Sequence, residues 1–299
     1  HLAATYSVTN FVDLQRAWEK TLDISELNKK FFREVANWYF WAVQNVTFPA
    51  GAGPDAETRN AVSVIRLITR LIFVWFIKEK GLAPAELFDK HTLDQLLKWN
   101  DPQNSTYYKA ILQNLFFATL NTEMERDKPG SRRFRGKNQS GGQDPHYGIS
   151  TVYRYADYFS DPSKALQLFA NIPFLNGGLF ECLDRPAQGV YVDGFSDRAD
   201  NPLVVPDFLF FDTEQSIDLN KIFDTRNKSY RVRGLLRIFE SYKFTIEENT
   251  PIEEEIALDP ELLGKVFENL LAAYNPETGA TARKQTGSFY SPRPIVDYM

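Results

Sequence analysis

The sequence predicts a mainly α-helical fold with small β elements. Three observations carry that expectation. Apolar residues recur at helical spacing through most of the first 125 positions. Beyond residue 150, shorter helical stretches alternate with brief β-like runs. Hydrophobic residues make up 43% of the 299 and charged residues 24%, the balance of a chain that buries a core and not of a disordered or collagen-like one.

Phe11 to Leu22 reads as a short amphipathic helix. Ile24 to Val46 follows, with Leu27, Phe31, Val35, Trp38, Tyr39 and Ala42 on one face. The aromatic run Asn37 to Trp41 offers rings on which bases could stack, yet its helical spacing buries it, so it reads as core. After the Pro/Gly/Ala loop Phe48 to Pro54, the strongest helix is Glu57 to Lys80. Val62, Ile65, Ile68, Leu71, Ile72, Trp75 and Phe76 form its stripe, and Gly81 with Pro84 stops it. Its last two turns are apolar all round, which places it centrally. Arg59, Arg66 and Arg70 share one strip of it; acidic partners at the core edge explain them better than a phosphate does. Tyr107 to Met124 is a further helix.

Glu125 to Ile149 breaks the pattern. It is rich in Gly and Pro and nearly free of aliphatic residues, as a functional or disordered loop would be. From Arg126 to Lys137, six basic residues stand against Asp127 alone, a local charge of +5 in a chain whose net charge is −5. A solvated mobile loop and a phosphate-contacting loop both fit this segment, and Arg132, Arg133, Arg135 and Lys137 are the candidate DNA-backbone contacts. Val152 to Ala170 returns to helix. Phe174 to Phe180 contains a Gly pair without a P-loop ending, so turn chemistry explains it. Val190 to Val192 and Leu203 to Phe211 read as short β pieces, Val232 to Tyr242 as helix, and Phe244 to Glu247 as extended. Lys221 to Lys243 is a second basic region of +5, followed by an acidic surface stretch. Leu258 to Tyr274 is an amphipathic helix opened by Asp259-Pro260.

Several function classes are unsupported. Cys182 has no partner for a disulfide, which fits a reducing cytosol and a cytoplasmic protein. Three histidines and one cysteine are too few for the usual zinc clusters. The longest apolar run, Leu71 to Ile77, is seven residues, whereas a membrane span needs about 20. Neither Pro54-Asp55 nor Pro206-Asp207 is followed by the acidic-x-Lys trio of a common metal-dependent nuclease. No nucleophile elbow and no Gly-x-Gly-x-x-Gly after a strand are present. Asp144-Pro145-His146-Tyr147 is similar to the Asp/Asn-Pro-Pro-aromatic motif of amino-methyltransferases, but His146 replaces a proline and the context is a Gly-rich loop. The chain therefore reads as catalytically empty. At its end, Ser291 and Pro292 open an apolar-striped segment that stops at Met299, and the expectation is a piece of a longer protein.

The C-terminal residues are more specific. Leu258 to Leu270, then Thr286-Gly287-Ser288-Phe289-Tyr290-Ser291-Pro292-Arg293 and Pro294 to Met299, resemble the entrance to the methyltransferase domain of single-chain type IIG restriction–modification enzymes. Phe32 to Ala42, Arg59 to Gly81 and Phe174 to Cys182 are similar to that family's central helical region. The resemblance implies a helical connector at 1–250, with a flexible basic loop at 126–149. It implies that 251–299 are entry helices of a truncated class I methyltransferase domain. Ser288, Phe289, Tyr290, Ser291, Pro292 and Arg293 match the family's first cofactor motif, so it implies S-adenosylmethionine held at a helix start, with Ser291 in place of the commoner Thr. The catalytic motif is expected after Met299, and a magnesium-dependent nuclease before His1. The implied partners are double-stranded DNA and the rest of the same polypeptide, without a membrane. The implied parent is a site-specific adenine methyltransferase with endonuclease activity; this stretch alone would neither methylate nor cut. A phage-defence methyltransferase lacking a nuclease, with this region as a platform, and a free-standing helical binding module are the alternatives.

Overall fold

Burial of the apolar stripes sets the architecture. The computed structural model describes residues 24–123, 132–136, 146–149, 151–175, 178–242 and 244. The chain divides into two compact units, residues 38–237 and residues 1–37 with 238–299. The fold is mainly α-helical, and among the described residues the sheet has two strands.

Helix α1 (Ile24–Asn45) runs through both units in sequence. Its Val35, Trp38, Tyr39 and Ala42 are at most 1% exposed, so the aromatic run is core. Helix α2 (Ala56–Glu79) starts where Asp55 accepts the Thr58 N–H at 2.8 Å, the standard way to satisfy an orphan donor. Ile68 and Leu71 are fully buried and Trp75 is 2% exposed, as the stripe predicts. By length and composition α2 could cross a membrane, but 72% of its most apolar window is buried inside the protein, as in a core helix. Helix α3 (Lys90–Leu96), capped by Asp89, was not anticipated from periodicity; its cap and Leu93 and Leu96 were the available signals.

The segment Tyr108–Leu120 is a π-helix of 13 residues. Its wide winding shows in two side chains that reach back five residues: Thr119 Oγ1 to the Asn114 carbonyl at 2.9 Å and Thr122 Oγ1 to that of Phe117 at 3.2 Å. Every residue in it except Lys109 is buried. Asp207 stands at its head and accepts the N–H groups of Thr106 (3.1 Å) and Tyr107 (2.8 Å).

Two expectations are corrected. Helix within Val152 to Ala170 is confined to α4 (Pro162–Phe169), because Tyr155 adopts φ +62°, a left-handed backbone that a right-handed helix cannot include, and Asp161 with Pro162 restarts the winding. The β pieces expected between Val190 and Phe211 are single bridges, Val190 with Arg185 and Val204 with Thr47. Pro206 removes a ladder donor there, and Phe208–Phe211 turns into the short α5. The sheet forms later, from β1 (Gln215–Ile217) and β2 (Tyr230–Val232), antiparallel with Ser216 opposite Arg231. Helix α6 (Leu235–Glu240) follows. Gly234 is obligatory before it, since a Cβ there would lie 2.3 Å from the Phe210 carbonyl oxygen.

In the unit of residues 1–37 and 238–299, Phe31 packs edge-on to Tyr242 (5.0 Å) and Phe244 (5.9 Å), and Phe239 meets Phe244 at 5.5 Å. The expected helices Phe11 to Leu22 and Leu258 to Tyr274, the boundary at 250, the truncated methyltransferase entry, and the motif Ser288 to Arg293 lie outside the described residues.

Candidate functional site

A cleft of about 510 Å³ lies within residues 38–237. Its walls are built from Tyr153 to Tyr158, the stretch Ser196 to Ala199 with Asn201, Arg135 with Gly136, and Lys109 at the head of the π-helix.

The π-helix fixes the first wall. Asn114 donates to the Arg154 carbonyl at 2.9 Å and accepts its N–H at 2.8 Å, so one side chain replaces the ladder that this irregular stretch lacks. Tyr153 stacks on Phe169 (5.2 Å), and its hydroxyl lies 3.0 Å from Thr119 Oγ1. The backbone of Tyr153 pairs with Arg133 and Arg135, which ties the described part of the basic loop to this wall. Tyr155 follows with its left-handed backbone. Its hydroxyl donates to Gln113 Oε1 at 3.0 Å and accepts the Ser196 N–H at 3.2 Å. Burial drives the Tyr155 phenol well above its usual range, so it stays neutral. A strained residue held by this many partners is the pattern found at built sites.

The charges converge on Asp197. Its Oδ2 accepts from Arg154 at 2.6 Å and from Arg135 at 2.9 Å. The Arg154 guanidinium is fully buried, donates to the Tyr147 carbonyl at 2.8 Å and lies over Phe195 at 5.2 Å. Arg198 pairs with Asp200 and lies over Tyr191 at 4.6 Å. Lys109 is half-buried, and burial pulls its pKa down.

A second buried centre is joined to the cleft through Gln113, which bonds both Asp193 and Tyr155. Arg70 donates to Asp193 (3.0 Å) and to the carbonyls of Leu179 (2.8 Å) and Glu181 (3.1 Å), with its guanidinium 4.9 Å from the Phe117 ring. Asp193 also accepts the Leu183 N–H at 2.7 Å. Asp184 accepts four backbone N–H groups, from Val192, Asp193, Gly194 and Phe195, and so bends the chain that leads to Asp197. Burial raises the nearby Cys182 thiol, which makes it unreactive.

The candidate contacts chosen from sequence fall into different settings. Arg132 turns inward and donates to the carbonyls of Phe169 and Ile172, the latter at 2.8 Å. Arg133 is exposed. Arg135 lines the cleft, and Lys137 lies outside the described residues. Arg70 finds the acidic partner that its strip suggested, whereas Arg66 donates to Ser63 at 3.2 Å. Lys109, Arg154, Tyr155 and Asp197 were not singled out from sequence. The cluster Tyr153-Arg154-Tyr155 with Tyr158 was the available signal, since a cation interleaved with aromatics is a recurrent nucleic-acid-binding composition. Among the described residues no group of three His, Cys, Asp or Glu could hold a metal.

No protein-family model matches the chain, and no solved structure matches it. A protein of Methanocaldococcus jannaschii named "Putative type II restriction enzyme and methyltransferase" is 28% identical over 235 residues. That alignment covers 79% of this chain but 14% of the archaeal protein, so the chain spans about one seventh of the relative's length. The chain is similar to one part of a restriction–modification protein.

Proposed function

We propose that this chain is the helical connector of a restriction–modification DNA methyltransferase and that it contacts the DNA backbone. The observation that carries the reading is the 235-residue similarity to the archaeal protein named as restriction enzyme and methyltransferase. In this reading the parent is a single-chain enzyme of the type IIG class, with a magnesium-dependent nuclease and an adenine methyltransferase that the connector holds apart. It works in the cytoplasm. Ser288, Phe289, Tyr290, Ser291, Pro292 and Arg293 contribute to holding S-adenosylmethionine, which supplies the methyl group. The charge segregation supports the DNA contact: a +5 stretch from Arg126 to Lys137 in a chain of net charge −5.

Arg133, Arg135 and Lys137 take the phosphates, because the Arg132 guanidinium already serves two internal carbonyls. Arg135 has an exchange available, since its partner Asp197 keeps Arg154 when Arg135 leaves. Phosphate contacts hold register and carry no sequence information. With three such contacts, log K for duplex DNA falls with log salt at a slope of about −3. Replacing Arg133, Arg135 and Lys137 by Ala in the full-length protein flattens that slope and weakens binding to all sequences alike. Titrations of duplex DNA at several salt concentrations test this, and an unchanged affinity and slope would show a solvated loop without DNA contact.

A further inference from the structure

Four cations line the cleft: Lys109, Arg135, Arg154 and Arg198. Three are matched by acids, Arg135 and Arg154 by Asp197, and Arg198 by Asp200. Asp157, the other acid on the lining, is exposed at the rim. Lys109 is different. Among the described residues its ammonium has no hydrogen-bond or ion-pair partner, although it is half-buried. Lys109 is the single residue not buried in the 13-residue π-helix, and it lines the cleft. The Tyr158 hydroxyl, on the same lining, has no partner among the described residues either. The Tyr158 ring stacks on Tyr155 at 5.6 Å.

We propose that this cleft binds a nucleotide through its phosphate, with the Lys109 ammonium as the cation and the Tyr158 hydroxyl as a second donor. A cleft-facing ammonium with no acceptor from the described residues is available to an anion in a charge-assisted hydrogen bond. The volume, about 510 Å³, falls inside the range of roughly 300–1,000 Å³ typical of small-ligand sites. The stacked tyrosines give the attached base an aromatic edge. Arg154, anchored on Asp197, and Arg135 beside it add positive charge to the surrounding wall. That the phosphate belongs to DNA rests on the function proposed above; the cleft's preference for a phosphate does not.

The test uses the intact chain with its lysines reductively ¹³C-methylated, the Lys109 signal being assigned from Lys109→Gln. Inorganic phosphate and thymidine monophosphate should shift the Lys109 signal and raise its pKa, whereas thymidine should not. Lys109→Gln should weaken thymidine monophosphate binding roughly tenfold, as loss of one charged hydrogen bond does. Lys109→Arg should restore most of it, and Tyr158→Phe should weaken it less than Lys109→Gln. All three variants leave the Asp197 and Asn114 networks intact, and circular dichroism verifies their folding. Displacement of the nucleotide by duplex DNA would identify the source as a DNA phosphate. Retention of the nucleotide beside duplex DNA would identify a free nucleotide, so that the DNA reading fails at this site while the cleft proposal stands. A Lys109 signal unmoved by phosphate, nucleotide and duplex at millimolar concentration would overturn the proposal, even if the chain still bound DNA with a steep salt slope.

Discussion

Arg70 is 3% exposed within the unit of residues 38–237, and its charge is answered by Asp193 and two carbonyls. Such a pair contributes little net stability as a unit, yet removing one member strands the other charge in a low dielectric. Arg70→Met should therefore cost about 3–5 kcal/mol in urea unfolding. The double replacement with Asp193→Asn should recover part of that loss. If both single variants unfold at the wild-type midpoint, the pair is not buried as described. Asp207 gives a second residue-scale prediction. Burial pushes its carboxyl up to about 7, against the pull of the Tyr107 and Thr106 N–H groups. Between its unfolded value of 3.8 and about 7, the folded state holds the proton that the unfolded state releases. The stabilisation is complete below the unfolded value and is lost as pH rises through the folded one. Relative to Asp207→Asn, the wild type should lose stability from pH 4 to 7, by roughly 1.4 kcal/mol per unit. A difference independent of pH would mean that Asp207 is already ionised at the head of the π-helix.

At the scale of elements, the π-helix organises the cleft through Gln113 and Asn114. Gln113 donates to the Asp193 carbonyl at 2.8 Å and accepts the Tyr155 hydroxyl, so it joins the Arg70 centre to the cleft. Asn114 satisfies both backbone groups of a fully buried residue, Arg154. Asn114→Ala leaves those two groups without partners, which should cost about 2–6 kcal/mol, since each stranded group costs about 1–3. The same change should release Arg154 and Tyr155, so nucleotide affinity at the cleft should fall along with the melting temperature. Retained affinity in a destabilised Asn114→Ala protein would show that the cleft is held by the Asp184 turn instead. Helices α2, α3 and α4 have simpler foundations: each begins at an aspartate whose carboxylate accepts an N–H of the first turn.

For the whole molecule, charge distribution matters more than net charge. A chain of −5 should bind duplex DNA poorly unless its basic segments are locally concentrated, and the stretch Arg126 to Lys137 is. A phosphate-directed contact predicts that the triple replacement of Arg133, Arg135 and Lys137 leaves the ratio of affinities for target and near-target duplexes unaltered. Competition titrations in the full-length protein measure that ratio. A changed ratio would mean that this segment reads bases.

The helical character, the burial of Ile68, Leu71 and Trp75, and the acidic partner of Arg70 were legible in the sequence, because period and local charge act over a few residues. The resemblance to restriction–modification enzymes likewise came from linear motifs, and it agrees with the archaeal relative. The cleft was not legible. Lys109, Arg154 and Asp197 are far apart in the chain, and Arg132 turns inward while Arg135 lines the cleft, although both stand in one basic run. Nor could periodicity distinguish a π-helix from an α-helix, since both bury an apolar run; the wide winding is visible only where Thr119 reaches back to Asn114. Local sequence determined which segments wind and which residues seek the interior. Tertiary packing decided which charges are neutralised and that Lys109 lines an open cleft, because pairing a charge depends on what distant segments bring beside it.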